Sequence, residues 1–173
     1  MKLAEVELVA GNHFIAMQYY GLILNRTYLV LAVNHHLVGL VANGPVSEKN
    51  DHDPLTHLIT TSLAVKGDLN NPFSYLNEKY LAKARNLDLL ADDLSQANRA
   101  NFRIGFEEIT SVEFDPSKKW GMGNYPHSGK LHIGVRGRKR EFILLGKQSG
   151  PFLADNIRQS LSGAGNPLKQ GAL

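Results

Sequence analysis

The chain contains no cysteine. Disulfides, thiolate metal centres and a cysteine nucleophile are therefore excluded, and a small disulfide-stapled secreted scaffold is disfavoured. It also lacks a clean apolar run. The longest apolar stretch, residues 21–42, is interrupted by Asn25, Arg26, Asn34, His35 and His36, which argues for separate strands rather than a membrane span. The first residues do not read as a secretory leader, because Glu5 and Glu7 fall where an apolar core is required. The expected location is the cytoplasm, with peripheral membrane attachment as an option. No Ser or Thr sits in a nucleophile elbow, and no His or Lys has a triad partner by spacing.

What is present fits one domain. A chain of 173 residues with 43% hydrophobic and 20% charged residues is long enough to bury a core and ordinary for a globular protein. The net charge of +3 is unevenly spread. Residues 118–147 hold eight Lys or Arg against Glu141 alone, a net of +7. Residues 48–115 hold twelve Asp or Glu against seven Lys or Arg, a net of −5. Such asymmetry can steer an anionic partner toward one region.

The first third reads as four strands: the alternation from Val6 to Ala10, then HFIAMQYYGLIL, TYLVLAV and HLVGLVA. Polar breaks at Gly11-Asn12, Asn25-Arg26 and Asn34-His35-His36 suit turns, and Asn43-Gly44-Pro45 ends the series. The period then changes. Asp53-Pro54 looks like a capped helix start, with Leu55, Leu58, Ile59, Ser62 and Leu63 at helical spacing and Gly67 as the stop. Asn71-Pro72 repeats the start signal. Phe73, Leu76, Tyr80, Leu81 and Ala84 then form a face that Leu87, Leu90, Leu94 and Ala97 continue, as one long helix or two broken near Asn86. Strands return at Phe106–Phe114, Lys130–Val135 and Lys139–Leu145, the last two joined by a turn at Gly137-Arg138. Gly150-Pro151 opens a final helix with Leu153, Ile157 and Leu161 on one face, and the tail from Gly163 has no periodicity.

GLILNRTYLVLAV, FEEITSVEF and GKLHIGVRGRKREFILLG followed by PFLADNIRQSL resemble the bacterial pleckstrin-homology-like (PH-like) and GRAM-like pattern. That resemblance implies an α+β fold: a seven-stranded barrel of two antiparallel sheets with a C-terminal helix. The block at about 54–100 would be a helical insertion between the sheets, in a single domain over 1–162 with a flexible tail at 163–173. The Lys and Arg cluster that marks phosphoinositide binding at the first hairpin is missing, since only Arg26 lies there, so that activity is not implied.

The best candidate binding surface is the basic region Lys118, Lys119, Trp120, Lys130, Arg136, Arg138, Lys139 and Arg140. Its cations can hold phosphate or carboxylate, and Trp120 can enter a membrane interface or stack on a base. The bland alternative is a solvated hairpin whose charges block edge pairing. The glycine-rich loop 120–130 fails as a P-loop, because Leu131 stands where Ser or Thr must follow the Lys, and as a dinucleotide fingerprint, because a strand follows. YPHSGKLHIGV is similar to the nucleotide signature of class I aminoacyl-tRNA synthetases, but Val135 replaces its last His and no helix follows. Asp51-His52-Asp53 with His57 matches no standard ligand spacing, so neither metal nor cofactor is expected. The adjacent pairs Glu107-Glu108 and Asp92-Asp93 diverge and make no acid–base couple. The expected function is a non-enzymatic binding or scaffolding module. Its partner would be a protein or an anionic membrane surface, with nucleic acid less favoured and a homo-oligomer through the helical block a further option. An enzyme of unrecognised type would need a pocket around His127, His132 and Tyr125.

Overall fold

The computed structural model describes residues 1–20, 24–46, 64–92, 94–120, 122 and 125–163. Among these residues seven strands are present: β1 (His13–Tyr19), β2 (Asn25–Val33), β3 (His36–Asn43), β4 (Phe102–Gly105), β5 (Ile109–Asp115), β6 (His127–Val135) and β7 (Arg138–Leu145). All pairings are antiparallel, in the order β4-β3-β2-β1-β7-β6-β5. The strands thus form one sheet where two were expected. The two halves join at a seam between β1 and β7 that pairs only Ala16 with Leu144 and Met17 with Ile143. Gln148 extends that seam with its side chain. Its Nε2 donates to the carbonyls of Ile15 (2.7 Å) and Leu145 (2.6 Å), and its Oε1 accepts from the Ile15 N–H (3.0 Å).

The sheet is strongly curled. Phe102 lies on edge strand β4 and Phe142 on β7, four places away in strand order, which would be roughly 19 Å in a flat sheet. Their rings stand 5.8 Å apart. The face they share is therefore concave. It also carries Phe14, Ala16, Tyr28, Val30, Leu131 and Ile133, and is closed by α3 (Gly150–Gly163) through Leu153, Ala154, Ile157 and Leu161. Glycine makes the curl possible at Gly39, opposite Phe102 in the register, because the ring occupies the space a Cβ would need.

The opposite, convex face is buried too. Ile15, Met17, Leu29, Leu31, Val38, Leu40, Ile143 and Leu145 pack against Tyr75, Ala84, Leu89, Leu94, Met122 and Tyr125. Two-sided burial explains why these strands read as continuous apolar runs rather than alternating ones. The described part of the segment between β3 and β4 is thus a cover on the sheet, inserted within the β1–β4 meander and not between two sheets.

Several expectations are corrected. Residues 6–10 form no strand; a single 3-10 turn at Leu3–Glu5 precedes them. The strand expected over 106–114 begins earlier and is split into β4 and β5 by a 3-10 turn at Phe106–Glu108, so the total of seven is reached as three strands before the insertion and four after it. The helix expected from Pro54 to Leu63, and the tail beyond Gly163, lie outside the described residues. The rest of the block is far less helical than its periodicity suggested. It holds a 3-10 turn at Pro72–Tyr75, then α1 (Glu78–Ala84) and α2 (Leu94–Ala97). Short polar side chains cut it up. Asn71 accepts from the Phe73 N–H and Asn77 from the Lys79 N–H, while Asp88 and Asn98 accept from Leu90 and Ala100 two residues on. Such local bonds compete with helix continuation. The β6–β7 turn falls on Arg136-Gly137 (φ 47° and 77°), one residue earlier than expected, and has the two positive φ values of a type I′ hairpin.

Candidate binding site

That turn fixes the phase of the basic hairpin. Val135 pairs with Arg138, Gly134 with Lys139, Ile133 with Arg140 and His132 with Glu141. Arg138 and Arg140 share the concave side with Phe142, while Lys139 and Glu141 share the convex side with Ile143. The predicted basic surface is therefore divided between two faces.

On the convex side, strand pairing brings acids beside the bases. Lys119 Nζ meets Glu141 Oε1 at 2.6 Å, and His132 Nε2 stands 3.4 Å from the other oxygen of that carboxylate. Lys139 pairs with Glu113 at 3.1 Å, and Arg136 with Glu108 at 3.1 Å. Lys130 is buried; its ammonium meets Asp115 Oδ2 at 2.8 Å and the Ser117 hydroxyl at 2.9 Å. Hydrogen bonds from Lys130 and from Ser117 hold the Asp115 carboxyl well below the usual carboxylate range. Counting Glu108, Glu113 and Asp115 reduces the net +7 of the segment to +4. Of the eight predicted residues, four cations are thus in ion pairs.

Lys118, Trp120 and Arg138 are exposed, and none has a polar partner among the described residues. Trp120 is 95% exposed. It projects from a loop that is pinned on both sides. Before it, the Ser117 N–H donates to Asp115 Oδ1 (2.8 Å) and Lys119 is held by Glu141. After it, Met122 and Tyr125 are buried in the convex core, where Tyr125 packs 5.9 Å from Tyr75. The Lys119 N–H also donates to His127 Nε2 at 3.3 Å. Burial, then the neighbouring charges of Lys118 and Lys130, push the His127 imidazole below its ordinary pKa, so it favours the neutral form that can accept this bond.

Arg140 differs from the other cations. Its guanidinium lies 3.6 Å above the Phe102 ring and 5.4 Å from that of Phe142, and one NH2 donates to Gln18 Oε1 at 2.8 Å. No carboxylate pairs with it among the described residues. Gln18 and Phe102 were not anticipated from sequence. Gln18 sits inside an apolar strand and Phe102 beside an expected boundary, and nothing local marks either.

Of the residues named for the enzyme alternative, Tyr125 is in the convex core, His132 stands beside Glu141 and His127 accepts from the Lys119 N–H. An open depression of about 550 Å³ lies elsewhere, lined in part by Asn43, Lys66, Ser74, Glu78 and Tyr80. His52 and His57 lie outside the described residues, among which no group of three His, Asp or Glu side chains is placed to hold a metal. No described helix is long and apolar enough to cross a membrane. No family model, curated protein or solved structure matches this chain.

Proposed function

We propose that the protein is a non-enzymatic binding module of PH-like architecture that docks an anionic partner surface through the tip of its β5–β6 loop. The architectural part of this reading is supported by the strand order, the single β1–β7 seam and the C-terminal helix across the concave face. The observation that carries the functional part is Trp120. A fully displayed indole on an anchored loop, with Lys118 two residues away and without an ion pair among the described residues, offers a large apolar contact beside a cation. Tryptophan is enriched both at interface hot spots and at membrane–water boundaries. Four neighbouring cations, Lys119, Lys130, Arg136 and Lys139, are locally neutralised, which favours a focused contact over polybasic adhesion.

Trp120 is the only tryptophan, so its emission reports this tip alone. The protein is titrated with phosphatidylcholine vesicles, the same vesicles containing phosphatidylserine, polyglutamate and duplex DNA, each at low and high salt. A saturable blue shift with an anionic probe and none with neutral vesicles is expected, and the probe that produces it identifies the partner class. Trp120→Ala should weaken that binding, measured by sedimentation, by about thirtyfold, the size of a typical hot-spot truncation. Emission that no anionic probe moves refutes the reading.

A further inference from the structure

We propose that the end of the concave face where β1, β2 and β7 meet is an oxyanion-binding site, in which Arg140, with Arg138 and Arg26, grips a single carboxylate or phosphate group. The site lies on the face of β7 opposite to Lys119, and goes beyond the docking role given to Trp120.

Four observations place it. First, Arg140 and Arg138 are two residues apart on β7 and share the concave side with Phe142. Second, Gln18 pairs directly with Arg26 across β1 and β2, in the same register as Ala16 and Tyr28, which are both in the concave core. The amide of Gln18 accepts from Arg140 and donates to the Glu141 carbonyl at 3.2 Å. Gln18 thus ties the strand carrying Arg26 to the strand carrying Arg140 and Arg138. Third, none of the three guanidiniums meets a carboxylate among the described residues. Fourth, two of them sit over aromatic rings: Arg140 over Phe102 at 3.6 Å, and Arg26 over Tyr20 at 3.7 Å.

The chemistry follows from how a guanidinium is used. A guanidinium over a ring can use its face for the ring and its in-plane N–H groups for other acceptors. Arg140 has five N–H donors, and only one has a described acceptor. A half-buried cation with unused donors and no counter-charge among the described residues is an unfavourable way to plug a sheet, since an apolar side chain of similar volume would serve as well or better. An incoming oxyanion supplies the missing charge and accepts those donors in the bidentate geometry that arginine favours. Gln18 fixes the orientation of Arg140 in advance, which spares the ligand part of that ordering. The burial that draws the Arg140 pKa below its ordinary value acts in the same direction, because a bound anion would relieve it.

The test follows the arginine Nε–Hε signals by NMR during titration with inorganic phosphate, with acetate and with chloride at matched ionic strength. Saturable shifts of the Arg140, Arg138 and Arg26 signals with phosphate or acetate are expected. A response to phosphate alone points to a phosphorylated ligand, and a response to acetate to a carboxylate. Arg158, already committed to the Val112 carbonyl and Asp155, should stay still. Arg140→Lys keeps the charge but not the fork, and should weaken binding about tenfold or more. Arg26→Gln, away from the Phe102 stack, should also weaken it while leaving the melting temperature unchanged, which guards against misfolding of the Arg140 variant. Linear, equal drifts of all arginine signals, or unchanged binding in both variants, would overturn the proposal. The readout is independent of Trp120 emission, so this site and the docking tip can fail separately.

Discussion

Replacing Gly39 with alanine tests the closure on which both the curl of the sheet and the position of Arg140 depend. Gly39 has an ordinary negative-φ backbone, and a Cβ there would run into the Phe102 ring, standing only 2.7 Å even from its Cδ1 edge. Without that ring, Gly→Ala at such a position should stabilise the protein by about 0.4–1 kcal/mol through the unfolded chain. With it, the ring must retreat from a site where Phe102 packs against Tyr28 and Phe142 and carries Arg140 on its face. Overpacking of this kind costs about 1–3 kcal/mol. The steric effect should prevail, giving a net loss of about 1–2 kcal/mol and a melting temperature lower by roughly 2–8 °C for a domain of this size. Melts would be compared for Gly39→Ala, Phe102→Leu and the double variant. Phe102→Leu removes the ring that Cβ strikes, so the double variant should be more stable than the sum of the singles by about 1 kcal/mol or more. If Gly39→Ala melts at or above wild type, or if the two changes simply add, Phe102 does not fill the space above Gly39 and the closure argument fails.

Two further outcomes follow from single side chains. Gln148→Leu should destabilise by about 2–4 kcal/mol, because it strands the Ile15 N–H and two carbonyls at the β1–β7 seam; hydrogen exchange of the Ile15 amide should accelerate more than that of the β2 amides, and an unchanged Ile15 rate would contradict the seam. His127 has a folded pKa below its ordinary 6.5, so between those values the unfolded chain binds more protons; stability should fall as pH drops below about 6.5 and level off beneath the folded pKa. Denaturant melts from about pH 7.5 to 5 should show this extra acid sensitivity in the wild type and its loss in His127→Gln, and equal pH profiles would mean that His127 does not brace the loop.

Much of this architecture is legible along the chain because it depends on near neighbours. Leu153, Ile157 and Leu161 mark the buried face of α3 and do occupy the concave core. Asn71 and Pro72 do start a turn, with the cap made as expected. Periodicity misleads in the insertion, where Leu76, Tyr80, Leu81, Ala84, Leu87 and Leu94 recur at helical spacing yet end at Ala84 and resume at Leu94. All but Tyr80, which packs against the other cluster, are apolar because they cover the convex face, a demand that a chain of short turns meets as well as a helix does. The β6–β7 turn shows how small an error matters. Moving it by one residue, from Gly137-Arg138 to Arg136-Gly137, leaves Arg136 in the turn and decides which hairpin cations share each face.

Charge is the property least readable from linear order. The segment 118–147 looks strongly basic because its counter-ions lie before residue 116, on β5 and the turn preceding it. Antiparallel pairing sets Glu113 opposite His132 and Asp115 opposite Lys130, and Glu108 reaches Arg136 across the start of the same ladder. A surface that is +7 along the chain is thus largely a set of cross-strand ion pairs, each worth little to stability where exposed and each removing a cation from the binding surface. The informative cations are among those with no ion pair to a described residue: Lys118 beside Trp120 in the β5–β6 loop, and Arg140 with Arg138 and Arg26 on the concave side. Pairing explains why replacing the hairpin cations Arg138, Lys139 and Arg140 together would confuse three roles, since Lys139 serves Glu113 while Arg140 holds Phe102. A single change at Lys118 or Arg138 isolates recognition from folding, because neither side chain has a described partner to lose.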